Sequence, residues 1–243
     1  MDPVLVKYII LTGIVFFSYT AQTISGFGST VIAVTLGAQL FPLHVLIPAL
    51  VMLDLLLNGF LSLKYYTYID ARLLFLRIIP FMLTGTVAGL LLFSILAGPV
   101  LKTILGLLVM ALSVWGLLTF YRKSGRPLIP IYQKGFFLLG GIVHGMYASG
   151  GPVIVYAAVR LGLDKTTFRA VLTALWTLLS AVMTGFYIVQ GQWRVESGRF
   201  VLFLLPAVLL GLWLGELLHH KTEERQFRLF IYILLFLAGA ALV

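Results

Sequence analysis

Ser25-Gly26-Phe27-Gly28-Ser29-Thr30 interrupts an apolar run in the first half of the chain, and Ser149-Gly150-Gly151-Pro152 interrupts one in the second. In lipid, non-helical backbone survives only where protein or a water-lined cavity covers its N–H and C=O groups. Two such breaks at matching places in two halves point to a binding site near the bilayer midplane. The fold turns on how these two stretches are read.

What surrounds them is membrane-like. Of 243 residues, 61% are hydrophobic and 10% charged, and mean hydropathy is +1.08. Soluble chains are about 45–50% apolar and about 25% charged. The class is therefore an integral, multi-pass protein of the plasma or inner membrane, with membrane lipid as its surroundings and no soluble domain. Met1-Asp2-Pro3-Val4 lacks a basic stretch before its apolar run, so no cleaved signal peptide is expected. Cysteine is absent, which excludes disulfide and thiol chemistry. The +9 charge fits basic cytoplasmic loops better than nucleic acid, and it also favours anionic substrates.

Apolar segments fall at 4–24, 28–41, 45–63, 73–94, 99–120, 135–147, 151–163, 168–190, 199–218 and 227–243. A spanning helix needs about 20 residues. Segments 28–41, 135–147 and 151–163 are shorter and adjoin the breaks, as re-entrant hairpins or short full spans would. The order repeats: Pro206, Gly211 and Gly215 each follow Pro80, Gly85 and Gly89 by 126 residues. Gly141-Ile142-Val143 follows Gly13-Ile14-Val15 by 128, and Ser149-Gly150 follows Ser25-Gly26 by 124. We expect an all-α protein of two repeats, 1–120 and 135–243, joined by a basic cytoplasmic linker at 121–134. Each repeat is a broken helix pair followed by three spanning helices. An inverted arrangement puts twelve Lys and Arg in inner loops 64–72, 121–134, 160–169 and 218–228, against four outside at Lys7, Lys102, Arg194 and Arg199. A parallel one separates them only nine to seven, so inversion follows from the positive-inside rule.

The breaks carry the chemistry. A helix start has unpaired N–H groups and a partial positive charge, which suit an oxyanion. Helices begin just after Gly28 and at Gly151-Pro152, where Pro is well placed. Inversion would bring two such starts together from opposite sides. Ser25, Gly26, Phe27, Gly28, Ser29, Ser149, Gly150 and Gly151 are the expected substrate-binding backbone and hydroxyls; glycines there otherwise serve close helix packing. Gln22, Tyr147, Trp176 and Thr177 lie on flanking segments. Thr173, Trp176, Thr177 and Ser180 share one helical face, which suits either a polar cavity or hydrogen bonding between helices.

Asp54, with Asn58 four residues on, is costly in a membrane. It is a coupling candidate or a structural hydrogen-bonding group, and Asn58 is a candidate donor to substrate. His144 beside the second break is a substrate or coupling candidate, since imidazole changes charge near neutral pH. His219-His220 reads as a solvated helix end. No residue set has metal-ligand or nucleophile–base spacing, so no cofactor, metal or catalytic group is expected.

These stretches resemble the TauE/SafE sulfite exporter family, also called the toluene-sulfonate uptake permease family. The resemblance rests on Ser25 to Ser29 with the following run to Phe41-Pro42-Leu43, on Gly140 to Pro152 followed by Val153 to Ala158, and on the two Pro…Gly…Gly helices. It implies transport of sulfite, thiosulfate, sulfoacetate or aromatic sulfonates. Many relatives carry a Gly-x-Gly-Gly-Gly type break, whereas this chain has Phe27, Ser29 and Ser149, which leaves the particular anion open. With no nucleotide motif, the expected function is secondary transport of a small sulfur-containing anion, coupled to a proton or sodium gradient or driven by the substrate's own. An anion channel and a carrier of a non-sulfur organic anion are the alternatives. A homodimer suits a carrier this small with apolar flanks.

Overall fold

A computed structural model describes residues 3–25, 28–119, 129–193, 195–219 and 224–243. Gly26, Phe27, the Ser25 side chain, most of the 121–134 linker and His219-His220 as a side-chain pair lie outside that description. So do several basic side chains used above, Arg122, Lys123, Arg126, Arg194, Lys221, Arg225 and Arg228.

The described residues are helical, without strands. The helices are α1 (Pro3–Ser25), α2 (Ser29–Gly37), α3 (Leu43–Lys64), α4 (Ala71–Leu73), α5 (Ile79–Ile95), α6 (Gly98–Thr119), α7 (Pro130–Tyr147), α8 (Gly151–Ala158), α9 (Lys165–Val189), α10 (Val195–His219) and α11 (Glu224–Ala240). Six stretches are long and apolar enough to cross a membrane: Val4–Ile24, Leu43–Lys64, Ala71–Ile95, Gly98–Leu118, Thr166–Val189 and Gly198–Leu218. The protein is a multi-pass membrane protein. Helix is forced on such runs because each backbone polar group must find its partner within the segment. α4 and α5 are one continuous crossing through a π turn at Leu74–Ile78. The widening sits just before Pro80, whose ring would clash with a carbonyl four residues back in an ordinary α register.

The helices gather into two compact units that ignore the order of the chain. One holds Met1–Leu50, Ala97–Tyr121 and Arg194–Val243; the other holds Val51–Leu96 and Arg122–Trp193. Each unit draws on both halves of the chain.

In the first unit α10 lies against α1. A Cβ on Gly211 would come 2.6 Å from the Phe16 carbonyl oxygen, and one on Gly215 would come 2.5 Å from the Thr23 Cβ. α6 and α11 meet in the same way at Gly106 and Gly239. Tyr8, Phe41 and Phe200 form an edge-to-face cluster with centroids 5.3–5.4 Å apart, the geometry aromatic rings prefer.

In the second unit α5 and α7 touch backbone to backbone. A Cβ on Gly85 would sit 2.9 Å from the Gly141 Cα, and one on Gly145 would strike the Thr86 carbonyl. Without a hydrophobic drive between helices in lipid, close approach through small residues supplies the packing energy. The Gly85 and Gly89 helix and the Gly211 and Gly215 helix thus do the same job, each in its own unit and each on a helix from the other half of the chain.

Candidate functional site

The first break leads into α2. Gly28 precedes the helix with φ 101 and ψ 4, a region where glycine alone is unstrained. Its carbonyl accepts the first helical bond, from the Ile32 N–H at 3.2 Å. The cap comes from elsewhere: the Gln22 side-chain carbonyl accepts the Ser29 N–H at 3.3 Å. Gln22, expected as a substrate contact, is here the group that holds the α2 start from the last turn of α1. Ser29 is fully buried and Gln22 nearly so.

The second break joins α7 to α8. α7 ends on Ala148 in the left-handed region, φ 53, the one non-glycine residue at positive φ among the described residues. Such a residue costs about 1 kcal/mol or more, and strain of this kind gathers at functional sites. Gly150 follows, and a side chain there would meet the Gly140 carbonyl and, at 2.9 Å, the His144 Cβ. The Gly150 carbonyl then accepts the Ile154 N–H at 3.1 Å and opens α8. The first N–H groups of a helix have no acceptor within it, and Pro152 carries none. α8 therefore begins with the N–H groups of Gly151 and Val153 at its positive end.

His144 lies on the last turn of α7 against this break. It is 2% exposed, and neither ring nitrogen has a hydrogen-bond partner. Its ring stacks on Trp176 of α9 with centroids 5.0 Å apart and planes inclined 28°. A neutral imidazole carries one donor and one acceptor, and burying them unmet costs about 1–3 kcal/mol.

The other expected residues divide. Ser149 donates its hydroxyl to the Tyr147 carbonyl at 2.7 Å, and Thr177 donates to the Thr173 carbonyl at 2.8 Å while sitting 3.0 Å from Ser62. Tyr147 is fully buried. Asn58 donates to the backbone carbonyl of Asp54 at 3.0 Å, leaving its own side-chain oxygen buried and unmet. It is thus the Asp54 backbone, and not its carboxylate, that anchors Asn58. Asp54 is 5% exposed. His144, Tyr147, Ser149, Gly150, Gly151, Trp176, Thr177, Asp54 and Asn58 all belong to the second unit; Gln22, Gly28 and Ser29 belong to the first. Among the described residues, no three of His, Cys, Asp and Glu come together as a metal cluster would require.

α9 carries more than the expected site residues. Its polar face continues past Ser180 to Thr184 and Tyr187, both buried, with hydroxyls that have no partner. The i+4 and i+3 spacing from Ser180 was the available signal. Thr86 of α5, also buried and unmet, gave none, since a single Thr is common in an apolar helix. At another edge of the second unit, Asp70, Arg72, Leu73, Leu76 and Arg77 line an open cavity of about 490 Å³.

Residues 11–242 match the family model described as sulfite exporter TauE/SafE. A curated relative, the probable sulfite/organosulfonate exporter TauE of Cupriavidus necator, is 29% identical over 202 residues, covering 80% of this chain and 77% of the relative. No solved structure matches the chain.

Proposed function

We propose, from the fact that this chain belongs to the TauE/SafE sulfite exporter family, that it moves sulfite or a small organosulfonate across the cytoplasmic membrane. The family is one of transporters, so the protein is not an enzyme. The substrate class is that of the relative's name, and the chemistry of the second break supports it.

The observation that carries the reading is His144. Its two nitrogens are buried and unmet, and its Cβ packs beside Gly150, the residue just before α8. A sulfonate or sulfite oxygen at that helix start gains N–H donors and the partial positive charge of the helix. A second oxygen takes the imidazole N–H. Trp176, stacked on that imidazole, fixes the ring plane and offers an apolar wall to a substituent on sulfur. The α2 start in the first unit differs, because the Gln22 side chain already accepts its Ser29 N–H.

Transport is secondary and coupled to an ion gradient. His144 or Asp54 carries the coupling proton, both being buried, protonatable groups in the unit that holds the second break. The halves of the chain are inverted repeats. The 126-residue register and the matching glycine-mediated contacts of α5 and α10 support that.

Uptake of a radiolabelled organosulfonate into proteoliposomes, with and without an imposed proton gradient, tests the function. The reading requires saturable uptake that the gradient accelerates. Absence of uptake for sulfite and for every sulfonate tried would overturn it.

A further inference from the structure

Hydroxyls in the apolar helices of this protein mostly bond their own backbone. Thr12, Ser18, Thr20, Thr23, Thr35 and Thr177 each donate to the carbonyl four residues back, at 2.6–2.9 Å. That is how Ser and Thr dispose of a proton in a dry helix. Ser180 and Thr184 on α9 do not, although carbonyls four residues back exist for both. They are 1% and 6% exposed, and the Tyr187 hydroxyl, fully buried, is unmet too.

These three lie on one face of α9, at i, i+4 and i+7, in line with Thr173 and Thr177. From Thr173 to Tyr187 the line runs about 21 Å at the helical rise, most of a hydrocarbon core about 30 Å thick. The opposite face is apolar and outward, with Leu178 and Val182 each 38% exposed. Two other unmet groups of the same unit, His144 and Asn58, lie near the inner face, and Phe93 packs at its Tyr187 end. His144 stacks on Trp176 next to the line. Asn58 lies one residue before Gly59, where an added Cβ would come 3.8 Å from the Thr177 methyl. Phe93 meets Tyr187 edge to face at 6.4 Å. Buried polar groups in folded proteins are almost always satisfied, and several in line imply water or a passing solute between them.

We propose that this face of α9 is the wall of a hydrated track, along which the anion travels between the second break and one membrane surface. Neutral hydroxyls suit such a path, because they donate to an oxyanion without holding it as a fixed cation would. The proposal rests on the transport reading above for the identity of the anion, while the hydration of the track stands apart from it.

The native chain has no cysteine, so single replacements report cleanly. Ser180→Cys and Thr184→Cys, with Leu178→Cys and Val182→Cys as lipid-facing controls, are treated in proteoliposomes with 2-sulfonatoethyl methanethiosulfonate. The reactive form is the thiolate, which needs water, so the two track positions should react about tenfold or more faster than the controls. Methanesulfonate should slow them, and acetate should not. If both track positions label no faster than the controls, the hydrated track is wrong, even for a protein that transports sulfonates. If they label fast and no anion protects them, water enters but the anion does not, which overturns the proposal. Protection by acetate alone keeps the track and overturns the sulfur-anion reading.

Discussion

The His144 imidazole lies on the Trp176 indole, ring centroids 5.0 Å apart, with both of its nitrogens buried and unmet. The contact joins the helix that ends at the second break to the helix that carries the hydroxyl line. It holds the imidazole by one face and leaves its polar edge uncommitted.

That edge can be removed without removing the stack. His144→Phe keeps an aromatic ring on Trp176 and deletes an unmet polar group, whose burial costs about 1–3 kcal/mol. The variant should melt at or above the wild-type temperature and lose sulfonate uptake. Wild-type uptake by a folded His144→Phe protein would remove His144 from the account.

Glycines at the α5–α7 crossing should behave unlike those facing outward. At Gly145 a methyl group strikes the Thr86 carbonyl; at Gly185 it meets nothing within 4 Å. Gly145→Ala must push two backbones apart and should cost about 1–3 kcal/mol or more. Gly185→Ala should be neutral or gain about 0.5–1 kcal/mol from helix propensity. Melting temperatures of the purified variants in detergent check the ordering.

Gly28 poses a different demand. A Cβ there has open space, yet φ is +101. The cost of Gly28→Ala is therefore purely conformational, about 1–3 kcal/mol. Gly28→Asn should cost less, since Asn tolerates positive φ better. Equal losses for the two would show that packing, and not backbone, decides this position.

Asp164 caps α9, accepting the Thr166 and Thr167 N–H groups at 3.0 and 3.1 Å. The Thr167 hydroxyl first, and then these backbone donors, hold its carboxyl below the usual carboxylate range. A carboxyl depressed in the folded state stabilises above its unfolded pKa, near about 3.9, and loses that contribution as pH falls through the lower folded value. Asp164→Ala should thus lower the melting temperature at pH 7, with the gap to wild type closing below about pH 4. Thermal melts across pH 3 to 7 are the check.

Most of the helices could be read from the chain because lipid leaves an apolar run few choices. Helix α9 (Lys165–Val189) was expected at 168–190, and α3 (Leu43–Lys64) at 45–63. The breaks were legible for the same reason, since Gly and Pro inside an apolar run must have cover. Partner choice was not. Gly85 and Gly89 stood out as repeat markers, but nothing in one helix says that Gly141 and Gly145 of α7 will face them. Nor could the two units be seen, because composition is uniform across them. Ala148 in the left-handed region had no signal, alanine being the best helix former. Gln22 is legible as a polar side chain flanking the break, while its service to the Ser29 N–H depends on how the chain turns between them.

The central claim is that the second break, with His144, binds a sulfur oxyanion. Ligands that bind only the folded state stabilise it by RT ln(1 + L/Kd) at free ligand concentration L, so its melting temperature climbs steadily with ligand concentration. The decisive measurement is therefore the thermal shift of purified wild type and His144→Phe across increasing sulfite, methanesulfonate, an aryl sulfonate and acetate. The account predicts a rise that grows with the logarithm of concentration for at least one sulfur anion in wild type, none for acetate, and loss of the rise in His144→Phe. A rise with acetate and none with any sulfur anion, or an undiminished sulfur-anion response in His144→Phe, would contradict it.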